Sequence, residues 1–444
     1  MANSSPWLGE LPAHWKTVRT KSLLVERVEK GHQEEPLLAA TQSHGVIRKS
    51  EYGIRTVTAT KDLHLLKLVE VGDFVISLRS FQGGIERCYH RGIISPAYTV
   101  LTARSTKDRD YLTYLFKSKP FISSLTLSVT GIREGQNIDY STLAVDLLPV
   151  PPAEEQVSIV KYLTHANARI DKAIAAKQRL IALLQERKRE VVNRLVTEGL
   201  DPDVAFVDSG VPWIGLVPEH WGLVPARHIF RPVSRTVTDS ALPQLSLTRS
   251  AGLVPSGTEG SGTTAAESAG NLQQCARGDF VLNKYRAHMG LFRWCRAPGI
   301  VTRNYTVLQP KSQVHHDYFE SLFLDPVFAE GLRINARGVG DGMSPLYTST
   351  LMSMKMPLPP LEEQRAIMGL INADTSRFSQ QIAVTSREIR LLGEFRTRLV
   401  ADVVTGQVDV RAIGSTLSEA PISFDNLVSA IDDELQEALS ETEE

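Results

Sequence analysis

The chain has 444 residues, with 49 basic and 50 acidic side chains, 42% hydrophobic residues and a formal net charge of −1. This composition is typical of a soluble globular protein with more than one domain, and no apolar run approaches the roughly 20 residues that cross a bilayer. The first residues, MANSSPWLGELPAHW, lack the basic and apolar regions of a signal peptide, so we expect a cytoplasmic protein with no membrane partner. The widely spaced cysteines, Cys88, Cys275 and Cys295, form no metal-ligand pattern and are expected to be reduced thiols.

The acidic residues are concentrated at the C-terminus. Residues 412–444 hold nine of them and no Lys or Arg, which leaves 49 basic and 41 acidic side chains on the rest of the chain. A mildly basic body is compatible with a polyanionic partner, because Lys and Arg release counterions from phosphates. An excess of this size is also ordinary for so long a chain, so charge alone does not decide whether the partner is a nucleic acid.

The sequence contains an internal duplication. Four segments recur in the same order at an offset of 206 to 208 residues: WLGELPAHW (7–15) recurs as WIGLVPEHW (213–221), GDFV (72–75) as GDFV (278–281), GII with YTVL (92–94 and 98–101) as GIV with YTVL (299–301 and 305–308), and PPAEEQ (151–156) as PPLEEQ (359–364). Self-similarity at one period indicates a structural unit that occurs twice.

Each repeat begins with a module of alternating patterns. Short β-rich runs (73–78, 98–102 and 280–283) are separated by Gly, Pro and Ser turns, and helical patches lie at 110–116 and 317–323. This pattern predicts a mixed α/β module. A Pro-Pro pair then predicts the start of a helix, with acidic residues in the first turn, where carboxylates complement the helix dipole: Glu154, Glu155, Glu362 and Glu363.

The two helices share a heptad pattern. Along an alternating 3-4 spacing, eight of eleven positions are apolar in each helix, and the polar positions coincide at an offset of 208. The apolar seam comprises Val160, Leu163, Ile170, Ile174, Ile181, Leu184, Val191 and Leu195, then Met368, Ile371, Phe378, Ile382, Ile389, Leu392, Leu399 and Val403. This is typical of a coiled coil, and each helix would span about 45 residues, or roughly 67 Å.

Because a module lies between the helices, the chain must return, and antiparallel pairing is expected. The alternative is that each helix packs on its own module. The polar seam positions are expected to face one another and fix the register, with Asn167, Lys177 and Lys188 opposite Thr375, Thr385 and Arg396. Antiparallel pairing would place the two modules at opposite ends of a rod.

Neither repeat contains a recognisable catalytic motif. The sequence has no GxxxxGK[ST] loop, no GxSxG elbow, no HExxH and no GxGxxG. The pair His315-His316 has no carboxylate or cysteine at ligand spacing, and we interpret it as a solvated loop pair. We therefore predict no catalytic residue and no metal site in this chain.

The chain resembles the specificity subunits of type I restriction–modification systems over about residues 1–407. The most specific segments are GIREGQNI (131–138) with Tyr140 and Leu143, PPAEEQ (151–156) before a long helix, and the order module, helix, module, helix. The resemblance implies two target-recognition modules, each reading half of a split DNA target, and two conserved spacer helices that set the distance between half-sites. It also implies two modification subunits docked on the helices, which hold S-adenosylmethionine and methylate adenine, and two restriction subunits where these are present. Catalysis and cofactor would lie in those partners, not in this chain.

The resulting prediction is a mixed α/β fold with two globular modules, an antiparallel coiled coil and an internal pseudo-two-fold repeat. The predicted domains are recognition domain 1 (1–153), spacer helix 1 (154–200), recognition domain 2 (201–361), spacer helix 2 (362–406) and an acidic tail (407–444). A coiled-coil scaffold that assembles proteins without reading DNA is the alternative function.

The candidate DNA contacts lie where the two modules differ. After the shared GDFV, module 1 reads ISLRSFQGG and module 2 reads LNKYRAHMG, and both segments carry donors suited to base edges and phosphates. The candidates are Arg79, Ser80 and Gln82 in module 1, Lys284, Tyr285, Arg286 and His288 in module 2, and Arg133 and Gln136 in the glycine-rich loop of module 1. Solvated surface without DNA contact is the alternative for each. The repeated Trp-x-Gly and His-Trp segments are interpreted as structural clamps rather than stacking platforms for bases.

Overall fold

The chain forms two compact units in a computed structural model that describes residues 7–42, 44–52, 62–78, 80–125, 129–130, 137–238, 241–248, 251–257, 271–311, 313–336 and 345–417. Unit 1 comprises Met1–Arg179 and Ser386–Glu444, and unit 2 comprises Leu180–Thr385. Each unit has its own large hydrophobic core. The boundary between the units crosses both long helices, whereas the predicted domain boundaries lie at the helix ends. The division into recognition domains and spacer helices stays a prediction.

Unit 1 is a mixed α/β module. Its strands are β1 (Lys16–Arg19), β2 (Leu24–Arg27), β3 (Leu38–Thr41), β4 (Gly45–Arg48), β5 (Lys67–Val69), β6 (Phe74–Ile76), β7 (Glu86–Arg87), β8 (Gly92–Ile94), β9 (Thr99–Ala103), β10 (Val129–Thr130), β11 (Asn137–Ile138) and β12 (Leu147–Val150). Its helices are α1 (Thr20–Leu23), α2 (Ser80–Gly83), α3 (Arg109–Lys117), α4 (Lys119–Leu125), α5 (Tyr140–Leu143) and the start of α6 (Ala153–Glu198).

Unit 2 repeats this plan. Its strands are β13 (Phe206–Asp208), β14 (Leu216–Pro218), β15 (Gly222–Pro225), β16 (Phe230–Val233), β17 (Leu245–Thr248), β18 (Gly252–Pro255), β19 (Leu272–Cys275), β20 (Phe280–Asn283), β21 (Phe292–Trp294), β22 (Gly299–Thr302), β23 (Tyr305–Pro310) and β24 (Lys355–Leu358). Its helices are α7 (Ala226–Ile229), α8 (His316–Leu324), α9 (Pro326–Asn335), α10 (Thr348–Ser353) and the start of α11 (Leu361–Val404).

The two units have the same strand order. The four-stranded antiparallel sheet β2-β9-β6-β7 of unit 1 matches β16-β23-β20-β21 of unit 2, and the pairs β1-β12, β3-β4 and β5-β8 match β15-β24, β17-β18 and β19-β22. The shared GDFV lies at one register in both sheets, since Phe74 pairs with Leu101 and Phe280 with Leu308. The predicted duplication and the mixed α/β class are therefore confirmed.

The sheets and short helices close around aromatic side chains. Phe74, Phe116 and Phe121 in unit 1 and Phe280 and Phe292 in unit 2 are each no more than 1% exposed. Burying a side chain of this size contributes roughly 1.5–3 kcal/mol. The central strands β6 and β20 are apolar at successive positions, so one face of each four-stranded sheet packs in the large core of its unit and the other face packs in a smaller core.

The long helices pair antiparallel in each unit. In unit 1, Arg396 Nη1 of α11 lies 2.6 Å from Asp171 Oδ1 of α6, and Lys177 Nζ lies 2.7 Å from Glu388 Oε2. Residue numbers thus rise along α6 as those of their partners fall along α11, which is the pattern of antiparallel helices. In unit 2, Val191 and Leu195 near the end of α6 share a core with Met368 and Ile371 near the start of α11. The predicted antiparallel pairing is confirmed.

The helix ends also complete the cores of the modules. In unit 1 the core includes Leu163 of α6 and Val403 of α11, so the module packs on the helix that follows it and on the end of the other helix. The seam positions are buried at Leu163, Ile170, Val191, Leu195, Met368, Ile371 and Val403, and half-buried at Val160, Ile174, Ile181, Leu184, Phe378, Ile382, Ile389, Leu392 and Leu399. The alternative, in which each helix packs on its own module, describes only the first turns of each helix.

The polar seam positions do not pair as predicted. Lys177 binds Glu388, Lys188 Nζ lies 3.0 Å from Ser379 Oγ, and Arg396 binds Asp171. The prediction that the polar positions face one another was wrong, because the long side chains reach flanking residues beside the seam. Two ion pairs and one hydrogen bond beside the seam therefore accompany this register.

A short helix extends unit 1 beyond α11. Helix α12 (Arg411–Thr416) lies against the first turns of α6, and a Cβ added to Gly414 would come within 2.5 Å of Ser158 O. The acidic tail from residue 418 onward is outside the described residues. No helix in the described part of the chain is both long and apolar enough to cross a membrane.

Both long helices are followed by a glycine in the left-handed region. Gly199 has φ +84° and Gly406 has φ +73°. Glycine is favoured at such a position because a Cβ is strained there. At Gly406 an added Cβ would also meet Pro12 Cδ at 2.5 Å and the Trp15 ring at 3.2 Å. This glycine therefore lets the end of α11 pack on the segment that begins module 1.

We expect Gly406→Ala to destabilise the protein more than Gly210→Ala. Gly210 also has a left-handed backbone (φ +63°), but no atom lies within 4 Å of its added Cβ. Both variants carry a strain of about 1–2 kcal/mol, and only Gly406→Ala adds the overpacking cost of about 1–3 kcal/mol. Urea unfolding of both variants measures the difference in free energy, and equal losses would contradict the close approach of Pro12.

Candidate nucleic-acid interface

A carboxylate at the start of each long helix holds the beginning of its module. Glu155 accepts hydrogen bonds from His14 Nε2 at 2.7 Å and from Trp15 Nε1 at 3.0 Å. In unit 2, Glu363 accepts from His220 Nε2 at 2.8 Å and from Trp221 Nε1 at 3.1 Å. The indoles are 8% and 5% exposed, so they are unavailable to stack on bases. The interpretation of these segments as clamps is confirmed.

The sequence did not reveal the partners of these carboxylates. The first-turn acidic residues were interpreted only as complements to the helix dipole, whereas Glu155 and Glu363 bind specific side chains. The signal was present, because the His-Trp pair and the second Glu of PPxEEQ recur together in both repeats. The adjacent Gln also has a defined role: Gln156 and Gln364 donate to the carbonyls of Pro151 and Pro359 at 3.1 and 2.9 Å.

A buried tyrosine in each module holds the end of a long helix. Tyr111 donates its hydroxyl hydrogen bond to Val404 O at 3.0 Å, and Tyr318 donates to Val196 O at 3.0 Å. Burial raises the pKa of both phenols well above the usual range, so they remain donors. Carbonyls in the last turn of a helix lack intrahelical partners, and these tyrosines supply one.

In module 1 the candidate loop follows β6 and contains α2. Ser80 is 1% exposed, and its Oγ accepts a hydrogen bond from the Ser77 N–H at 2.8 Å. Gln82 is exposed on the same short helix. Three further candidates, Arg79, Arg133 and Gln136, lie outside the described residues. Among the described candidates of this loop, Gln82 has the exposed side chain.

In module 2 the equivalent loop presents a cluster of polar side chains. Tyr285 is 36% exposed, and Arg286 and His288 are also exposed. Lys284 Nζ lies 5.4 Å from the centre of the Tyr285 ring and donates to Arg303 O at 3.2 Å. A cation and an aromatic face on one loop can contact phosphates, base edges and exposed bases.

The backbone fixes the shape of this second loop. Asn283 Oδ1 accepts the Tyr285 N–H at 3.1 Å, which makes a tight turn at the end of β20. A short 3₁₀ turn (Ala287–Met289) follows and ends at Gly290, whose φ is +71°. Ala287 is buried at 2% exposed. The loop is thus anchored by Ala287 while its polar neighbours point to solvent.

A carboxylate lies beneath each loop, buried in module 1 and half-buried in module 2. Glu86 of β7 is 2% exposed and lies 2.5 Å from Lys117 Nζ. Burial raises the pKa of Glu86 to about 7, although the Lys117 cation opposes the shift. In module 2, burial also raises the pKa of Glu320, which lies 3.4 Å from Arg293 Nε. Each loop therefore rests on a partly desolvated ion pair.

The histidine pair is packed rather than solvated, so that prediction was wrong. His316 Nε2 lies 3.1 Å from Gly278 O, and its ring lies 5.3 Å from Phe280 and 5.0 Å from Trp294 between ring centres. His315 donates its backbone N–H to Gln364 Oε1 at 2.9 Å. His316 begins α8 and His315 precedes it, and both side chains are half-buried against neighbours that the fold supplies. The described residues contain no cluster of ligands that could hold a metal ion.

This chain is similar in sequence to known proteins. Residues 258–381 match the family model described as the type I restriction modification DNA specificity domain. The predicted type I restriction enzyme MjaX specificity subunit of Methanocaldococcus jannaschii is 21% identical over 452 residues, covering 91% of this chain and 96% of that protein. The MjaVIII specificity subunit of the same organism is 30% identical over 141 residues, or 31% of each chain.

A solved structure shares the fold. It comes from a study of complex assembly and conformational transition of the type I R-M system, and it has a TM-score of 0.61 with 15% identity over 90% of this chain and 100% of that chain. The two chains thus share a fold in which duplicated α/β modules are joined by long helices. The family model and both relatives are those of type I specificity subunits, and this chain is similar to them in sequence.

We expect Glu86→Gln to flatten the dependence of stability on pH. Between pH 4.5 and about 7 the folded protein retains a proton on Glu86 that the unfolded chain has released. The Glu86 contribution is therefore fully present below pH 4.5, and it is lost as pH rises through about 7. Unfolding free energies of both proteins from pH 4.5 to 8 test this. Parallel curves across that window would contradict the burial argument.

Proposed function

We propose that this protein is the DNA sequence-specificity subunit of a type I restriction–modification complex, in which each module reads one half of a bipartite, asymmetric target in double-stranded DNA. The observation that carries the proposal is that the two modules share strand order, register and helix clamps but differ in the loop after GDFV. A common scaffold with different exposed loops suits two readers of different sequences.

In module 2, Arg286 and His288 are the proposed base-edge or phosphate contacts, with Lys284 and Tyr285 beside them. A guanidinium can bind guanine O6 and N7 with two hydrogen bonds, which contributes about 1–3 kcal/mol of discrimination. In module 1, exposed Gln82 is the proposed contact, and Ser80 holds the turn. Arg79, Arg133 and Gln136 stay candidates by sequence.

The helices have two proposed roles. Their length would set the distance between half-sites, much as dimer geometry does in other DNA readers. Their outer faces would dock two modification subunits. On α11 in unit 1, Leu391 and Phe395 are 50% and 56% exposed, one turn apart; on α6 in unit 2, Leu180 and Leu183 are 41% and 53% exposed. Leu183 and Leu391 are equivalent at an offset of 208, so the repeat supplies two such surfaces.

In this proposal the chain itself is non-catalytic. Neither repeat shows a catalytic motif, and we assign S-adenosylmethionine and adenine methylation to the modification subunits. Restriction subunits would join the same complex in the cytoplasm. A scaffold that assembles proteins without reading DNA remains the competing function, because exposed apolar side chains on the helices also fit a purely protein-binding role.

The central experiment selects sequences from a randomised duplex pool with this chain and its modification partner at near-physiological salt. We expect enrichment of two short blocks at a fixed spacing. The salt concentration must be held constant, because phosphate contacts make affinity strongly salt-dependent. Arg286→Ala should relax preference within one block at a cost of about 1–3 kcal/mol, while Arg227→Ala, an exposed arginine on α7, should not.

A flat pool would contradict DNA reading and favour the scaffold. A uniform loss of affinity across all sequences in Arg286→Ala would identify this arginine as a phosphate contact instead. Loss of preference in both blocks would contradict independent reading by the two modules.

For docking, we expect Phe395→Asp to weaken binding of the modification subunit by about tenfold or more. Large aromatic side chains dominate the energy of many interfaces, and a carboxylate on that face would be desolvated there. The matched control is Val28→Asp, at a side chain 63% exposed away from the helices. Calorimetric titration measures the affinity and circular dichroism verifies the fold. Equal affinities for the two variants would locate the docking surface elsewhere.

A further inference from the structure

One lysine in module 1 ties together three elements around the candidate loop. Lys117, the last residue of α3, places its Nζ 2.5 Å from Glu86 Oε1, 3.0 Å from Gly83 O and 3.2 Å from Gln42 O. An ammonium has three donors, and here each has an acceptor. The acceptors belong to β7, to the end of α2 and to the turn after β3.

The candidate loop packs closely against residues beside Lys117. A Cβ added to Gly83 would come within 2.7 Å of Gln42 Cγ, and one added to Gly84, whose φ is +83°, would come within 2.2 Å of Phe116 O. Gly83 therefore packs against the Gln42 side chain and Gly84 against the backbone of Phe116, and neither position has room for a side chain. The hydrogen bond from Lys117 to Gly83 O is a polar link between α3 and the loop that carries Gln82.

Module 2 makes the same kind of contact with different residues. Arg293 Nη1 donates to Gly290 O at 3.0 Å and to Phe292 O at 2.7 Å, and Arg293 Nε lies 3.4 Å from Glu320 Oε1. Its side chain also lies 3.6 Å from a Cβ added to Gly252, the first residue of β18. Arg293 thus lies between the β17-β18 hairpin and the candidate loop of module 2. Lys117 likewise lies between the turn after β3 and the candidate loop of module 1.

The equivalence is one of geometry and not of residue identity. The left-handed Gly290 corresponds to Gly84, the neighbour of Gly83, and Arg293 occupies the position of Glu86 at an offset of 207. In module 1 the cation lies on the helix and the carboxylate on the strand; in module 2 the two are exchanged. A contact that is retained while its residues change indicates a requirement for the contact itself.

We infer that Lys117 and Arg293 are positioning residues, each of which fixes the reading loop of its own module and thereby sets base discrimination at one half-site. The inference rests on the proposed function. Hydrogen bonds from a charged donor are about twice as strong as neutral ones. A loop held in its binding conformation before it meets DNA loses less conformational entropy on binding, and it presents Gln82 or Arg286 at a defined position.

The test uses the full chain with its modification partner and compares two neutral pairs. Lys117→Met with Glu86→Gln removes the ion pair of module 1 without leaving a buried charge unpaired, and Arg293→Met with Glu320→Gln does so in module 2. We expect the first to lose about tenfold in discrimination at one half-site, and the second to lose as much at the other only. Lys117→Arg, which keeps the charge and donors, should restore most of the discrimination.

The outcomes separate positioning from general stability. A purely structural pair would weaken binding to every sequence equally and leave the preferred bases unchanged, which would overturn the inference. Unchanged discrimination, or loss at both half-sites together, would overturn it as well. If the double variant of module 1 does not fold, the double variant of module 2 decides by the same measurement, because it removes the Arg293 contact with Gly290 and should lose discrimination at the other half-site only. Failure of the wild type to enrich any bipartite sequence would instead reject the proposed function.

Discussion

The carboxylate in the first turn of each long helix is the contact on which the structure of each unit depends. Glu155 and Glu363 each bind an imidazole and an indole from the segment that begins the module. The carboxylate and its indole are largely desolvated, so a misplaced partner, or one without a hydrogen-bond donor, would leave a buried polar group unsatisfied. These hydrogen bonds therefore fix the position of each module relative to the helix that follows it. Tyr111 and Tyr318 then fix the end of the other helix to the same module.

This arrangement separates two kinds of contact. The clamps, the tyrosine hydroxyls and the glycines after the helices are made by identical residues at offsets of 206 to 208. The supports of the loops, Lys117 and Arg293, are different residues that each donate to a glycine carbonyl near the end of the loop. Each scaffold contact has the same geometry in both units and is made by the same residue type in both. A loop support need only supply a cation at one carbonyl, so it can arise from a helix or from a strand.

Much of the fold was predictable because it is encoded by local periodicity. The helical patches at 110–116 and 317–323 became α3 and α8, and the strand run 280–283 became β20 with the same bounds. The site was less predictable. Ser80 and Gln82 lie two residues apart in one loop, yet Ser80 is buried and Gln82 exposed. The difference comes from the turn that the Ser80 hydroxyl closes with Ser77, which residue type does not reveal. The packing of His316 between Phe280 and Trp294 was missed for the same reason.

By itself the sequence determined the repeat, the mixed α/β modules, the extent of both helices and the seam on which they pair. These follow from spacing along the chain, because a period of 3.5 residues or an offset of 208 needs no knowledge of distant contacts. The tertiary structure decided which carboxylate meets which indole, which lysine lies under which loop, and which edge residues pair beside the seam. Those contacts join residues up to 225 positions apart, as in Arg396 with Asp171. Their partners are chosen by burial and by the reach of each side chain, and both exist only once the chain has folded.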